Sequence, residues 1–84
     1  MPYLLKIKKS AYKEIQKLDK RDKHRLIEAI DKLTENPHIG KLLKGEYSGL
    51  RRIRSGSYRI IYEINENEVI VLILRVGHRK QIYR

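Results

Sequence analysis

The stretch that most constrains the fold is Glu68–Val76, EVIVLILRV, a nearly unbroken run of apolar and mostly β-branched residues. A run of this kind and length is typical of a strand that is buried on both faces. We therefore predict that Glu68–Val76 is a central strand, ended by Gly77, with neighbouring strands on both sides. At 84 residues, the chain is long enough for one domain, spanning residues 1–84.

A second segment, Leu50–Tyr62, reads as a β-hairpin directly before that strand. Its sequence, LRRIRSGSYRIIY, holds four arginines and no acidic residue. The centre, Ser55–Ser57, is a turn, because Gly56 can adopt a positive φ. A further turn at Asn65–Asn67 joins the hairpin to the apolar strand.

The alternation of side chains along the hairpin sorts its residues between two faces. Successive strand residues point to opposite faces of a sheet. Tyr58 and Ile60 therefore lie on the core face, and Arg59 points away from it. On the first arm Arg52 and Arg54 share one face. A rigid hairpin with several guanidinium groups on its uncovered side is suited to binding phosphate.

The segment before the hairpin predicts one strand and two helices. Tyr3–Lys8 alternates as a strand, Ser10 is a suitable N-cap for a first helix, and Asp19 is one for a second helix. The apolar stripe of the first helix is Ala11, Ile15 and Leu18. That of the second helix, which ends at Asn36-Pro37, is Leu26, Ile27, Ile30 and Leu33.

The residues His38–Gly49 are predicted to form a loop with at most a helical turn. Within it Lys41 and Lys44 either line a groove or are simply solvated. The element order is β-α-α-β-β-β. The expected fold is α+β, with an antiparallel helical hairpin on one face of a small, mostly antiparallel sheet and an open, arginine-bearing face opposite.

Charge and composition narrow the classes of function. The formal charge of +10, from 20 Lys and Arg against 10 Asp and Glu, favours an anionic partner such as nucleic acid or an acidic protein. The alternative is that the charges only solvate the chain. The absence of cysteine excludes disulfides, thiolate metal sites and a cysteine nucleophile, and it fits a reducing cytosol. No apolar run has transmembrane length and no signal peptide is recognised.

The residues offer few routes to catalysis other than phosphate chemistry. The histidines His24, His38 and His78 lack the spacing of a zinc site, and no glycine-rich nucleotide loop follows a strand. We expect no metal and no cofactor. Arginine can neutralise a phosphate and stabilise the added charge of a pentavalent transition state. The general base stays open between a tyrosine whose pKa is lowered by nearby positive charge and a neutral His78.

The run GLRRIRSGSYRIIY, followed by EVIVLILRVGHR and a closing Tyr83, resembles the RelE/ParE superfamily of toxins from toxin–antitoxin systems. The resemblance covers essentially the whole chain. It implies one of two activities. RelE-like members are ribosome-dependent mRNA interferases that cut in the decoding site without metal, whereas ParE-like members share the fold and poison DNA gyrase.

The resemblance also implies a set of site residues. The matching catalytic positions are Arg52, Arg59, Arg79 and Tyr83. His78 matches a histidine found in some relatives. A lysine of the RelE-like site falls on Leu50, so its role is either lost or taken by another basic residue. The RNA-binding candidates are Arg51, Arg54, Lys41 and Lys44.

The function expected from the resemblance is a metal-independent mRNA endoribonuclease, in which the 2′-hydroxyl attacks the scissile phosphate. The expected partners are a ribosome with mRNA in its decoding site and a cognate, acidic, RelB-like antitoxin in a heterodimer or heterotetramer. The expected location is the cytoplasm. Two alternatives stay open: a ParE-like inhibitor of DNA gyrase, and an RNA- or ribosome-binding domain without activity.

Overall fold

The computed structural model describes residues 2–78. Within that range the chain forms five strands, two α-helices and two 3-10 turns. The strands are β1 (Leu4–Ile7), β2 (Lys41–Leu42), β3 (Arg51–Ser55), β4 (Tyr58–Asn65) and β5 (Ile70–His78). The helices are α1 (Lys9–Gln16) and α2 (Lys20–Glu35), and the 3-10 turns are Pro37–Ile39 and Gly45–Tyr47. No helix in this range combines the length and apolar character needed to cross a bilayer.

The sheet has the strand order β1-β5-β4-β3-β2, and only the β1–β5 pair in it is parallel. The predicted fold class is confirmed: α1 and α2 pack on one face of a mostly antiparallel sheet. The apolar run is interior, between β1 and β4, as predicted. Its bounds differ, because Glu68 and Val69 belong to the preceding turn and the strand continues through Gly77 to His78. In that turn the Asn65 side chain accepts the Glu68 N–H at 3.0 Å.

The core lies between α1, α2 and the covered face of the sheet. Its buried members are Ala11, Ile15, Leu26, Ile30, Leu33, Ile60, Tyr62, Val71, Ile73 and Val76. The prediction that Ile27 belongs to this core is wrong, since its side chain is 45% exposed. Ala29 packs against the core instead.

The two helices begin differently: a side chain caps α2 but none caps α1. Asp19 caps α2 as expected, because its carboxylate accepts the Asp22 N–H at 2.8 Å. The prediction for Ser10 is wrong: α1 starts at Lys9, directly after β1, and no side chain caps it. The chain is fixed there by the sheet, since Lys8 N–H donates to the carbonyl of Ile73 at 2.9 Å.

The segment between α2 and β3 contains a strand that the sequence did not predict. Lys41 and Leu42 pair with Arg52 and Arg51 and form the short edge strand β2. A two-residue strand carries no recognisable alternation, so its pairing with β3 is a product of tertiary structure.

A β-bulge interrupts the pairing of β4 with β5. Ile61 pairs with Arg75, but the next residue, Tyr62, pairs with Ile73, so Leu74 is the extra residue. Ile73 and Val76 both belong to the core. Arg75, which pairs with Ile61, therefore faces away from the helices, whereas strict alternation from Ile73 would place it on the covered face.

Candidate nucleic-acid interface

The face of the sheet that the helices leave uncovered carries a concentration of basic side chains. Two rows run across the strands on this face, as the pairing register shows. One row is Lys41, Arg52, Ile61 and Arg75; the other is Arg54, Arg59 and Gly77. We call the five basic residues of these two rows the basic face: Lys41, Arg52, Arg54, Arg59 and Arg75.

Ile61 is the centre of this surface. Arg52 lies opposite it on β3 and Arg75 opposite it on β5, while Arg59 lies two residues earlier on β4 and on the same face. Arg52 and Arg75 are thus both diagonal neighbours of Arg59, at about 7–8 Å between backbone positions, a separation that long side chains bridge. Ile61 is only 1% exposed although it faces away from the helices. Three guanidinium groups therefore flank one apolar position.

The basic face contains like charges in direct opposition. Arg54 pairs with Arg59 across β3 and β4, and Lys41 pairs with Arg52 across β2 and β3. Like charges directly opposite each other destabilise a sheet. Two unit charges 4 Å apart interact by about 1 kcal/mol in bulk water and by about 4 kcal/mol at an effective dielectric constant near 20. A bound anion would remove this repulsion.

The arginines of the basic face differ in their surroundings. Arg59 is half-buried, and its Nε atom is buried. With Arg54, Gly56 and Tyr58 it lines a concavity of about 50 Å³ at the turn end of the hairpin. Arg54 and Arg75 are exposed, and within residues 2–78 neither forms a hydrogen bond or an ion pair. The Nε atom of Arg59 is therefore shielded from water.

Arg51, predicted as an RNA-binding candidate, is not part of this group. It pairs with Tyr62 and so faces the helix side of the sheet. Its Nη1 atom donates to the carbonyl of Gly40 at 2.9 Å and more weakly to that of His38 at 3.4 Å. The guanidinium thus satisfies backbone acceptors. Lys44 is exposed and lies in the loop after β2, outside both rows.

His78 is also separated from the basic face. It pairs with Tyr58 at the end of β5, and the two rings meet edge to face with their centroids 6.0 Å apart. Tyr58 packs against the core, so this ring pair lies on the helix side. The structure does not bring His78 together with Arg52 and Arg59. Arg79 and Tyr83 lie outside the described residues.

Among the tyrosines of residues 2–78, three have shifted pKa values, and all three shift upward. Burial, followed by the carboxylates of Asp22 and Asp19, raises the pKa of Tyr58. Burial also raises the pKa of Tyr62, and the hydrogen bond to Glu66 raises that of Tyr3. The hypothesis of a tyrosine whose pKa is lowered by positive charge is wrong for these three.

Within residues 2–78, no group of three or more His, Asp or Glu side chains is arranged to hold a metal ion. The side chains with functional potential that cluster in this part of the molecule are the arginines of the basic face. What they offer a ligand is positive charge and N–H donors.

Arg75 is the member of the basic face that sequence reasoning missed. The signal was present in the apolar run. Strict alternation from Val71 and Ile73 would place Arg75 in the core and Val76 outside it. A charged residue at an apparent core position of a strand indicates a bulge, here at Leu74, that turns it outward.

Comparisons with known proteins agree with this architecture. A family model described as the ParE toxin of the type II toxin–antitoxin system parDE matches residues 5–83. The chain is 37% identical over 86 residues to the toxin RelG of Mycobacterium tuberculosis, covering 100% of this chain and 99% of that toxin. It is 29% identical over 83 residues to the mRNA interferase toxin RelE of Escherichia coli, covering 96% of this chain and 87% of that toxin.

Among solved structures, a chain of the toxin–antitoxin complex RelBE2 from Mycobacterium tuberculosis superposes with a TM-score of 0.85 at 34% identity. The match covers 94% of this chain and 100% of that chain. The similarity therefore spans the helices and the sheet together.

Proposed function

Since this chain belongs to the RelE/ParE superfamily of toxins from type II toxin–antitoxin systems, we propose that it is a ribosome-dependent mRNA endoribonuclease. It acts in the cytoplasm, on messenger RNA in the decoding site. The support from relatives is the similarity to an mRNA interferase toxin along 96% of the chain. The support from geometry is the basic face.

The observation that carries the proposal is the direct opposition of Arg54 and Arg59 beside Arg52, on a face that no helix covers. A structural role would favour alternating charges, because cross-strand pairs of opposite charge stabilise a sheet. A cluster of like charges is instead suited to a polyanion. Arginine in particular forms paired hydrogen bonds to phosphate oxygens.

In the proposed reaction the RNA supplies its own nucleophile. The 2′-oxygen forms a bond to the adjacent phosphorus while the bond from phosphorus to the 5′-oxygen breaks. The 2′-hydroxyl loses its proton to a base, and the departing 5′-oxygen takes one up. Arg59 stabilises the negative charge that grows on the phosphate, because a buried, oriented donor acts most strongly at low dielectric. Arg52 holds the same phosphate from the neighbouring strand.

The remaining assignments rest on the resemblance. Arg79 would add a third guanidinium, and Tyr83 would transfer a proton. We assign no proton transfer to His78, since its ring contacts Tyr58 on the helix side of the sheet. The reaction needs no metal ion. Cleavage should therefore persist when a transition-metal chelator is added at constant free magnesium, which keeps the ribosome intact.

Single-turnover cleavage on programmed ribosomes tests the proposal. Arg59→Ala should lower the cleavage rate by about 10²–10³, the usual effect of removing one oxyanion donor. Arg52→Ala should weaken both binding and rate, and Tyr83→Phe should lower the rate while keeping the aromatic ring. The matched control is Arg21→Ala, an exposed arginine on α2. Wild-type cleavage by Arg59→Ala would refute the assigned site.

A second candidate function comes from the matching family model, whose description is that of a ParE toxin. The chain would then inhibit DNA gyrase without cutting RNA. The same protein preparation distinguishes the two functions. Intact mRNA on programmed ribosomes, together with gyrase trapped on DNA, would favour the gyrase inhibitor over the endoribonuclease. Neither effect, despite a folded protein, would favour an RNA- or ribosome-binding domain without activity.

We also propose that an antitoxin binds this chain. A related toxin was solved in a toxin–antitoxin complex, and the charge of +10 favours an acidic, RelB-like partner. Its complex would be a heterodimer or a heterotetramer. Co-expression with the neighbouring reading frame, followed by size-exclusion chromatography, tests this proposal.

A further inference from the structure

The β-bulge at Leu74 has a consequence for the composition of the basic face. Without the extra residue, either Arg75 would enter the core or Val71 and Ile73 would leave it, because the side-chain period of a strand is two residues. With the extra residue, Val71 and Ile73 both remain buried, and Arg75 pairs with Ile61 on the uncovered face. The bulge thus adds a cation to a row that already contains Arg52 and Lys41.

The surroundings of Arg75 leave it available to a ligand. It is exposed, and it forms no hydrogen bond or ion pair with any other residue of the described range 2–78. The next residue on this face toward the end of β5 is Gly77, which lies opposite Arg59 and contributes no side chain. Nothing on β5 therefore stands between the positions of Arg75 and Arg59 on this face.

We propose that Arg75 binds a phosphate of the RNA next to the one that is cleaved. This inference rests on the proposed function and extends it to the β5 side of the site. Arg59 lies diagonally between Arg52 on β3 and Arg75 on β5, so an RNA strand whose scissile phosphate contacts Arg59 can place an adjacent phosphate against Arg75. The ligand class is a phosphodiester of single-stranded RNA.

Exposure distinguishes the role of Arg75 from that of Arg59. An arginine in water stabilises charge in a transition state weakly, because solvent screens it, whereas it still contributes to binding by releasing counterions from the RNA. Arg75 is therefore a substrate-binding residue. Its loss should raise the half-saturating ribosome concentration more than it lowers the rate at saturation, while loss of Arg59 should do the reverse.

The first experiment measures binding without cleavage. A fluorescent single-stranded oligoribonucleotide with 2′-deoxy substitution at the cleavable position is titrated with protein at several salt concentrations. Arg75→Ala should weaken binding roughly two- to fivefold, the range of an exposed ion pair, and reduce the slope of log affinity against log salt by about 0.7. Arg75→Lys should keep the wild-type slope, because the charge remains. Arg21→Ala is the matched control.

The second experiment compares the same variants in single-turnover cleavage on programmed ribosomes. If wild-type protein does not cleave but Arg75→Ala still loses salt dependence in the binding assay, the proposed function fails and the phosphate site stands. If wild-type protein cleaves but Arg75→Ala keeps both the wild-type affinity and slope, the site is refuted. A loss of rate at saturation with unchanged affinity also refutes it, as does a wild-type protein that does not bind the RNA.

Discussion

The phenol of Tyr62 fastens the segment after α2 to the middle strand of the sheet. Its hydroxyl donates to the carbonyl of Pro37 at 2.5 Å and accepts the Gly40 N–H at 3.0 Å, and the side chain is fully buried. A Cβ on Gly40 would clash with that oxygen, so glycine is required there. Since β2 follows directly, this contact positions Lys41 at the edge of the basic face.

Tyr62→Phe should lower the free energy of unfolding by about 1–3 kcal/mol, the cost of leaving a buried donor and acceptor unsatisfied. Urea denaturation of both proteins at pH 7 measures it. Tyr12→Phe, which removes the hydroxyl of an exposed tyrosine, is the matched control and should change stability by less than about 0.5 kcal/mol. Equal midpoints for Tyr62→Phe and wild type would contradict the role of the contact.

The same tyrosine predicts the direction of a pH dependence. Because burial raises the pKa of Tyr62 above its ordinary 10.0, the folded chain retains the phenolic proton at pH values where the unfolded chain loses it. The stabilisation is complete below pH 10.0 and declines as the pH rises through the folded pKa. The stability difference between wild type and Tyr62→Phe should therefore shrink above pH 10. A difference that stays constant or grows there would contradict this assignment.

At the scale of elements, the two helices begin in different ways, and one pair of substitutions separates them. Asp19 caps α2 through its side chain, whereas α1 continues from β1 without a side-chain cap. Asp19→Ala should cost about 0.5–2 kcal/mol, and Ser10→Ala should cost less, since Ser10 lies inside the first turn of α1. Thermal and urea denaturation of the two variants tests this. A larger loss for Ser10→Ala would mean that the Ser10 side chain, and not the sheet, fixes the start of α1.

At the scale of the whole molecule, the charge of +10 on 84 residues makes the folded chain repel itself. Screening shortens the range of exposed charges from about 30 Å at 0.01 M salt to about 8 Å at 0.15 M. The melting temperature of the free protein should therefore rise over this range of sodium chloride. A fall in melting temperature would indicate that attractive ion pairs outweigh the repulsion.

An acidic antitoxin should have the same effect more strongly, because it neutralises charge and binds only the folded state. The complex should melt at a higher temperature than the free protein at equal salt and protein concentrations. The increase should be smaller at high salt, since screening weakens the electrostatic part of binding. Equal melting temperatures for complex and free protein would contradict this expectation.

The sequence alone determined the features that depend on local periodicity. The alternation in the hairpin correctly assigned Tyr58 and Ile60 to the covered face and Arg59 to the open one, and it correctly placed Arg52 and Arg54 on one face, because strand side chains must alternate. The cap at Asp19 and the interior strand were also predictable, because each depends on residues that are only a few positions apart in the chain.

Only the tertiary structure decided the features that depend on pairing between distant segments. The bulge that turns Arg75 outward exists because β5 must keep Ile73 and Val76 in one core while matching the register of β4. The Gly40 carbonyl reaches Arg51 because β2, the two-residue strand that follows Gly40, pairs with β3. Register and edge pairing are set by contacts between residues far apart in the chain, so the membership of the basic face could be read only in part from the order of the residues.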